Sequence, residues 1–287
     1  IAQWVVSQLH KHDIVGLDGM LFTNPQLKKL NDVLFRHDIG LKTDFDVIDR
    51  LWKDRPALPD GKIFVHDEKY AGESARSKIA KVMAEAHEAG AEAVLVTALD
   101  EIAWLLNIRC NDVKHTPVAT SYLYLRDGEG ILFIDPAKLT DQTVAYLASQ
   151  GVTTRGYDEI KAFLAAGNDS EIVLVDPNTI SVGLFDIVRN RFMPTAQTTA
   201  SRLKSVKNAT QIAGVHKAMV RDGAALVRAF MELEDRLEKG VETTELDVAD
   251  LLHKYRSRGE NYFDESFGTI AGYGPHGAIA VSYTHLR

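Results

Sequence analysis

Gly272, Gly274 and Gly277 spell G-x-G-x-x-G near the end of this 287-residue chain, the spacing of a phosphate-cradling turn. Such a turn must follow a strand and open a helix, whose free N–H groups hold the pyrophosphate. Here a β-type run, Ala278-Ile279-Ala280-Val281-Ser282-Tyr283, follows instead, and Pro275 removes one N–H from the loop. The context does not specify a dinucleotide site.

Other chemistries are equally incomplete. No G-x-S-x-G elbow and no G-x-x-x-x-G-K-[ST] loop occurs. His87-Glu88 lacks the second histidine of a zinc helix, and the ten histidines are dispersed. Glu232, Glu234 and Asp235 belong to the polar side of a helical stretch, where a solvated face accounts for them. Asp264 and Glu265 carry the oxygen donors a metal takes, yet adjacent loop carboxylates are common without one. The single cysteine, Cys110, excludes an internal disulfide, fits a reducing compartment, and reads as a small buried hydrophobe.

The elements that must position these residues are those of an α/β protein. Net charge is −7 with Lys and Arg scattered, so there is no basic stripe for nucleic acid or an anionic membrane. No apolar run approaches the roughly 20 residues that cross a bilayer. Residues 13–18 read as a buried strand, and Asn24-Pro25 opens a helix carrying Leu27, Leu30 and Leu34. The prolines of Trp52-Lys-Asp-Arg-Pro-Ala-Leu-Pro59 break regular structure, and 53–73 reads as a linker.

From Ser74 the spacing predicts a helix through Ile79, Val82, Met83 and Ala86, stopped at Gly90, then a strand at 93–97 and a short helix at 103–106. A hairpin over 119–134 turns at Arg126-Asp-Gly-Glu-Gly130. Helices at 141–150, 158–166 and 178–189 alternate with strands at 152–156 and 171–176, the pattern of a layered α/β domain. Val215, Met219, Leu226, Phe230, Leu233 and Leu237 form one face of a long helix that ends at Gly240. Thr244 caps the next helix, with Val248, Leu251, Leu252 and Tyr255 facing inward. Residues 267–270 and 278–280 read as strands flanking the glycine loop.

Leu99-Asp-Glu-Ile-Ala-Trp-Leu-Leu-Asn-Ile-Arg-Cys-Asn-Asp112, followed by Thr116-Pro-Val118 and Ser121-Tyr122, resembles the middle domain of the Xaa-Pro aminopeptidases, the aminopeptidase P family. Arg55-Pro-Ala-Leu-Pro59, Tyr70-Ala-Gly72 and Ser201-Arg-Leu-Lys-Ser-Val-Lys-Asn208 match in the same order, as does Ser266-Phe-Gly-Thr-Ile270 through Gly274-Pro-His-Gly-Ala-Ile279. Cys110 stands where the family has glycine.

The resemblance implies an α/β fold in three parts: the tail of a creatinase-like N-terminal domain (1–65), a complete second domain of that kind (74–195), and the start of a pita-bread α+β catalytic domain (198–280). It further implies a cytoplasmic metalloaminopeptidase that releases the N-terminal residue of peptides with proline second. Two divalent metal ions, usually manganese, act there, and family members often dimerise through their N-terminal parts. Prolidase, creatinase or a non-catalytic binder on the same scaffold are the alternative readings.

The family's loop continues G-A-I-x-H-Y, and that histidine belongs to its active site; here its position is Val281, and His285 lies four residues late. The five family metal ligands lie further on in sequence than this chain extends. The expectation is a fragment cut at both ends, with 281–287 an artefactual tail. No catalytic residue and no metal ligand is expected in it, only Phe267 and His276 near the substrate pocket.

Overall fold

The computed structural model describes residues 1–46 and 48–279. Two compact units emerge, one of residues 1–113 and 117–207, the other of 114–116 with the described residues from Asn208 on.

The first unit is α/β. It opens with α1 (Ala2–Ser7), β1 (Ile14–Gly16), α2 (Asn24–Phe35), β2 (Gly40–Lys42) and α3 (Ile48–Leu51). Strands β1 and β2 pair in parallel as a small sheet. Pro25 sits in the first turn of α2, where its missing N–H costs nothing, and Thr23 with Gln26 closes a capping box. Then come β3 (Phe64–Val65), α4 (Glu68–Ala71), α5 (Ala75–Glu88), β4 (Ala93–Val96), α6 (Leu99–Leu105), β5 (Ile108–Arg109), β6 (Ser121–Arg126) and β7 (Glu129–Ile134). The unit closes with α7 (Asp141–Ser149), β8 (Val152–Arg155), α8 (Ile160–Ala165), β9 (Val173–Val175), α9 (Val182–Val188), β10 (Phe192–Pro194) and α10 (Thr199–Ser205).

Six strands form a mixed sheet in the order β10-β9-β4-β6-β7-β8. Its period-2 alternation sends side chains to two cores. Val94, Val96, Leu123, Leu125, Leu132 and Ile134 join Ile79, Val82, Met83 and Leu147 on one side. Leu95, Tyr124, Phe133, Val173 and Val175 join Ile160, Leu164 and Leu184 on the other. Burial on both faces explains why these strands read as continuous apolar runs. Asp127 and Gly128 both take positive φ, 46° and 79°, which a two-residue hairpin turn between right-twisted strands requires.

The stretch expected as a linker is partly built in. Residues 53–62 have no regular structure, but β3 pairs antiparallel with β5, and Ile63 is buried in the core. A two-residue strand exists through its partner, so local sequence does not announce it.

The second unit is helical. Asn208 accepts from the backbone N–H of Gln211 at 2.9 Å and opens α11 (Ala209–Glu238); Thr244 caps α12 (Glu245–Arg256) with Asp247. Ala229, Leu251 and Leu252 form the core between the two helices, with Leu226, Leu233, Val248 and Tyr255 against them. Gly240, at φ 67°, ends the long helix in the left-handed conformation that glycine adopts without strain.

The strands expected at 267–270 and 278–280 do not form among the described residues. Residues 267–270 are irregular, and Gly274–Ile279 is a 3₁₀ turn. Phe267 and Ile270 are exposed, and a two-stranded ribbon with no third strand or helix beneath it is marginal in water. Among the described residues no helix is long and apolar enough to cross a membrane.

Candidate functional site

The segment Trp104-Leu-Leu-Asn-Ile-Arg109 is the most distinctive in the chain, and its chemistry is that of a buried clamp. Helix α6 delivers Trp104; Leu105 and Leu106 anchor it in the core; Asn107 turns the chain with φ 49° into β5. Lys78, from α5, is only 1% exposed. Its Nζ donates to Asn107 Oδ1 at 2.6 Å and to the Trp104 carbonyl at 2.7 Å, and lies 4.3 Å from the centre of the Trp104 ring. Asn107 Nδ2 in turn donates to the Glu73 carbonyl at 2.8 Å.

Arg109 donates to the carbonyls of Ala103 and Ile108. Burial pushes the Lys78 ammonium down to about 8. Burial, with Arg109 and Lys78 nearby, pushes the neighbouring His66 down to about 4. A cation this enclosed locks helix, turn and strand together; it is not presented to a substrate.

A second buried pair follows. Lys138 donates to Asp112 Oδ2 and to the Pro59 carbonyl, while Asp112 also accepts from Thr120 N at 2.8 Å. Cys110 Sγ lies 3.1 Å from the Gly61 carbonyl and 3.3 Å from Asp112 Oδ1. Burial and the Asp112 carboxylate push its thiol up, so Cys110 is an inert hydrophobe beside an ion pair, as its sequence setting suggests.

In the helical unit Glu232, Asp235, Asp264 and Glu265 are already engaged. Glu232 accepts from Lys254, Tyr255 and Arg236, which hold it down to about 2. Asp235 pairs with Lys239. Asp264 accepts from the His115 backbone N–H, and its Oδ2 lies 3.4 Å from His115 Nδ1. Glu265 accepts from Arg256 at 2.8 Å and from Tyr262 at 3.1 Å.

A cleft of about 780 Å³ runs beside these groups, lined by Met219, Asp222, Arg228, Arg256, Tyr262 and Ser266 among others. Phe267, next in sequence, is 66% exposed. His276 Nδ1 lies 2.7 Å from Glu245 Oε1, on an exposed side chain. The position of Val281 lies outside the described residues.

These residues do not fit a metal centre. Among the described residues no three His, Cys, Asp or Glu side chains converge to hold an ion. Glu232, Asp235 and Glu265 already pair with Arg or Lys, and Asp264 with His115. No catalytic step is therefore routed through a metal here.

The comparisons match this fold. The family model of the Creatinase/Prolidase N-terminal domain matches residues 54–211, and the chain belongs to that family. Its relatives are more particular. Aminopeptidase P2 of Arabidopsis thaliana is 31% identical over 312 residues, covering 97% of this chain and 44% of that protein. A probable Xaa-Pro aminopeptidase P of Coprinopsis cinerea is 37% identical over 283 residues, covering 92% of this chain and 45% of that one. Among solved structures, X-prolyl aminopeptidase from Caenorhabditis elegans, described as a cytosolic enzyme with a di-nuclear active site, superposes with a TM-score of 0.85 at 27% identity. That superposition covers 93% of this chain and 45% of the worm enzyme. The chain thus spans less than half the length of these relatives.

The clamp partners of the W-L-L-N-x-R segment escape sequence reasoning. Lys78 lies 26 residues before Trp104 on a helix that reads as an ordinary amphipathic one, and a lysine on such a helix signals solvent. The helix's tight apolar face was the only signal near it.

Proposed function

We propose that this chain is part of a metal-dependent aminopeptidase that releases the N-terminal residue from peptides with proline second, and that it comprises the tail of the N-terminal domain, the second domain and the start of the catalytic domain. The observation that carries the reading is collinear similarity. Xaa-Pro aminopeptidases match more than nine-tenths of the chain, and one solved enzyme of that kind shares its fold over the same extent. The X–Pro bond is a tertiary amide, so a dedicated enzyme is chemically reasonable.

The division of labour follows from the residues present. The mixed-sheet unit, with its Lys78 and Asp112 clamps, is scaffold. The helical unit begins the catalytic domain, and Phe267 and His276 stand at the approach to its substrate pocket. Two divalent metals, manganese by family habit, would bind carboxylates and histidines that the described residues do not bring together, so the chain alone is inactive. When bound, such metals activate water as the nucleophile. Localisation in the cytoplasm and dimerisation through the N-terminal parts belong to the same reading.

The test is to read the genomic frame onward and compare rates of its product on a tripeptide and a dipeptide. Ligand-bearing sequence with turnover of Arg-Pro-Pro supports the proposal. Turnover of Arg-Pro alone would assign prolidase chemistry instead, and a frame with the ligands replaced would assign a binder.

A further inference from the structure

A cavity of about 470 Å³ opens at the surface of the mixed-sheet unit, walled by the ends of β6 and β8, helix α8 and the residues before β10. Three arginines face it, Arg126, Arg155 and Arg191, against two carboxylates, Glu159 and Glu171. Glu171 is committed to cations, and Glu159 holds a backbone turn. Glu171 accepts from Tyr124 at 2.6 Å, Arg191 at 3.0 Å and Arg126 at 3.2 Å. Glu159 Oε1 accepts from the Gly156 backbone N–H at 2.8 Å.

The positive charge is not fully matched. Arg155 has no carboxylate partner among the described residues; its guanidinium lies 5.3 Å from the centre of the Phe163 ring. The side chain of Arg126 reaches Glu171 through one nitrogen and is 59% exposed. Arg191, 4% exposed, is fixed by Glu171 and by the Leu164 carbonyl at 2.6 Å. Gly167 permits that arrangement: a Cβ there would stand 2.8 Å from the Arg191 guanidinium carbon.

We propose that this cavity binds a small organic anion, its oxyanion head on Arg155 and its apolar body against Phe163 and Ala162, with Arg126 adding positive charge to the cavity wall. Guanidinium forks are matched to carboxylate and phosphate oxygens. The volume exceeds what a bare oxyanion fills and lies within the range of small-molecule pockets. In a chain of net charge −7, a cavity with three guanidinium groups to two carboxylates runs against the overall sign.

Calorimetric titration of the chain with phenyl phosphate, benzoate and inorganic phosphate tests this. At least one aromatic anion is expected to bind saturably, about tenfold tighter than inorganic phosphate, and which one binds tells phosphate from carboxylate. Arg155→Ala, at an exposed position, is expected to keep the melting temperature and weaken that binding about tenfold; Arg126→Ala serves as the second variant. Absence of saturable binding by both aromatic anions would overturn the proposal. So would inorganic phosphate binding as tightly as they do, or affinities unchanged in both variants.

Discussion

Lys78 and Asn107 meet in the interior of the mixed-sheet unit, Nζ 2.6 Å from Oδ1, where neither reaches water. The pair explains why an Asn stands in the W-L-L-N-x-R segment. Its amide serves Lys78 on one side and the Glu73 carbonyl on the other, and its backbone takes a left-handed turn that Asn tolerates. Asn107→Ala loses both hydrogen bonds and adds backbone strain, an expected cost of about 2–4 kcal/mol in urea unfolding. Asn107→Gly keeps the turn and should recover about 1 kcal/mol of it. An alanine variant within about 0.5 kcal/mol of the parent would remove the clamp from the account.

Asp112 and Lys138 make the second buried pair. Lys138→Met leaves the carboxylate without its cation and is expected to cost about 3–5 kcal/mol. The double variant Asp112→Ala, Lys138→Met should cost clearly less than the sum of the single changes, because the second change removes the stranded charge. Additive losses in the unfolding cycle would mean that the two groups act independently.

His66 gives a pH dependence. Its folded-state value of about 4 lies below the ordinary 6.5, so between those values the unfolded chain binds the extra proton. Stability from this group is full above pH 6.5 and is lost as pH falls through 4. Comparing the parent with His66→Gln at pH 7 and pH 5, the parent should lose more stability between the two. Parallel losses would exclude His66 as the titrating group.

Glu232 is held ionised by Lys254, Tyr255 and Arg236 on the helical unit. Its side-chain carboxyl carbon, followed by NMR, should titrate near 2; a midpoint near the ordinary 4.5 would show that the three donors do not converge in solution.

Much of this was legible in the sequence where local pattern and tertiary need coincide. The hairpin at 119–134 announced itself through apolar strands around Asp127-Gly128, and the long helix through its single apolar face. The family segment was legible by resemblance, though not its role, because Lys78 reaches it from another helix. Phe64-Val65 was hidden among prolines, since its strand exists only by pairing with Ile108-Arg109. The strands expected around the glycine loop rested on pattern alone, with no sheet among the described residues to receive them. The arginine cavity was invisible because positions 126, 155 and 191 come to line one cavity only once the sheet is assembled.

The most direct measurement compares this chain with the complete gene product on Arg-Pro-Pro in manganese, following release of free arginine. The account predicts arginine from the complete product, abolished by a chelator, and none above the enzyme-free rate from this chain. A complete product that leaves Arg-Pro-Pro intact, or chelator-sensitive turnover by this chain alone, would contradict it.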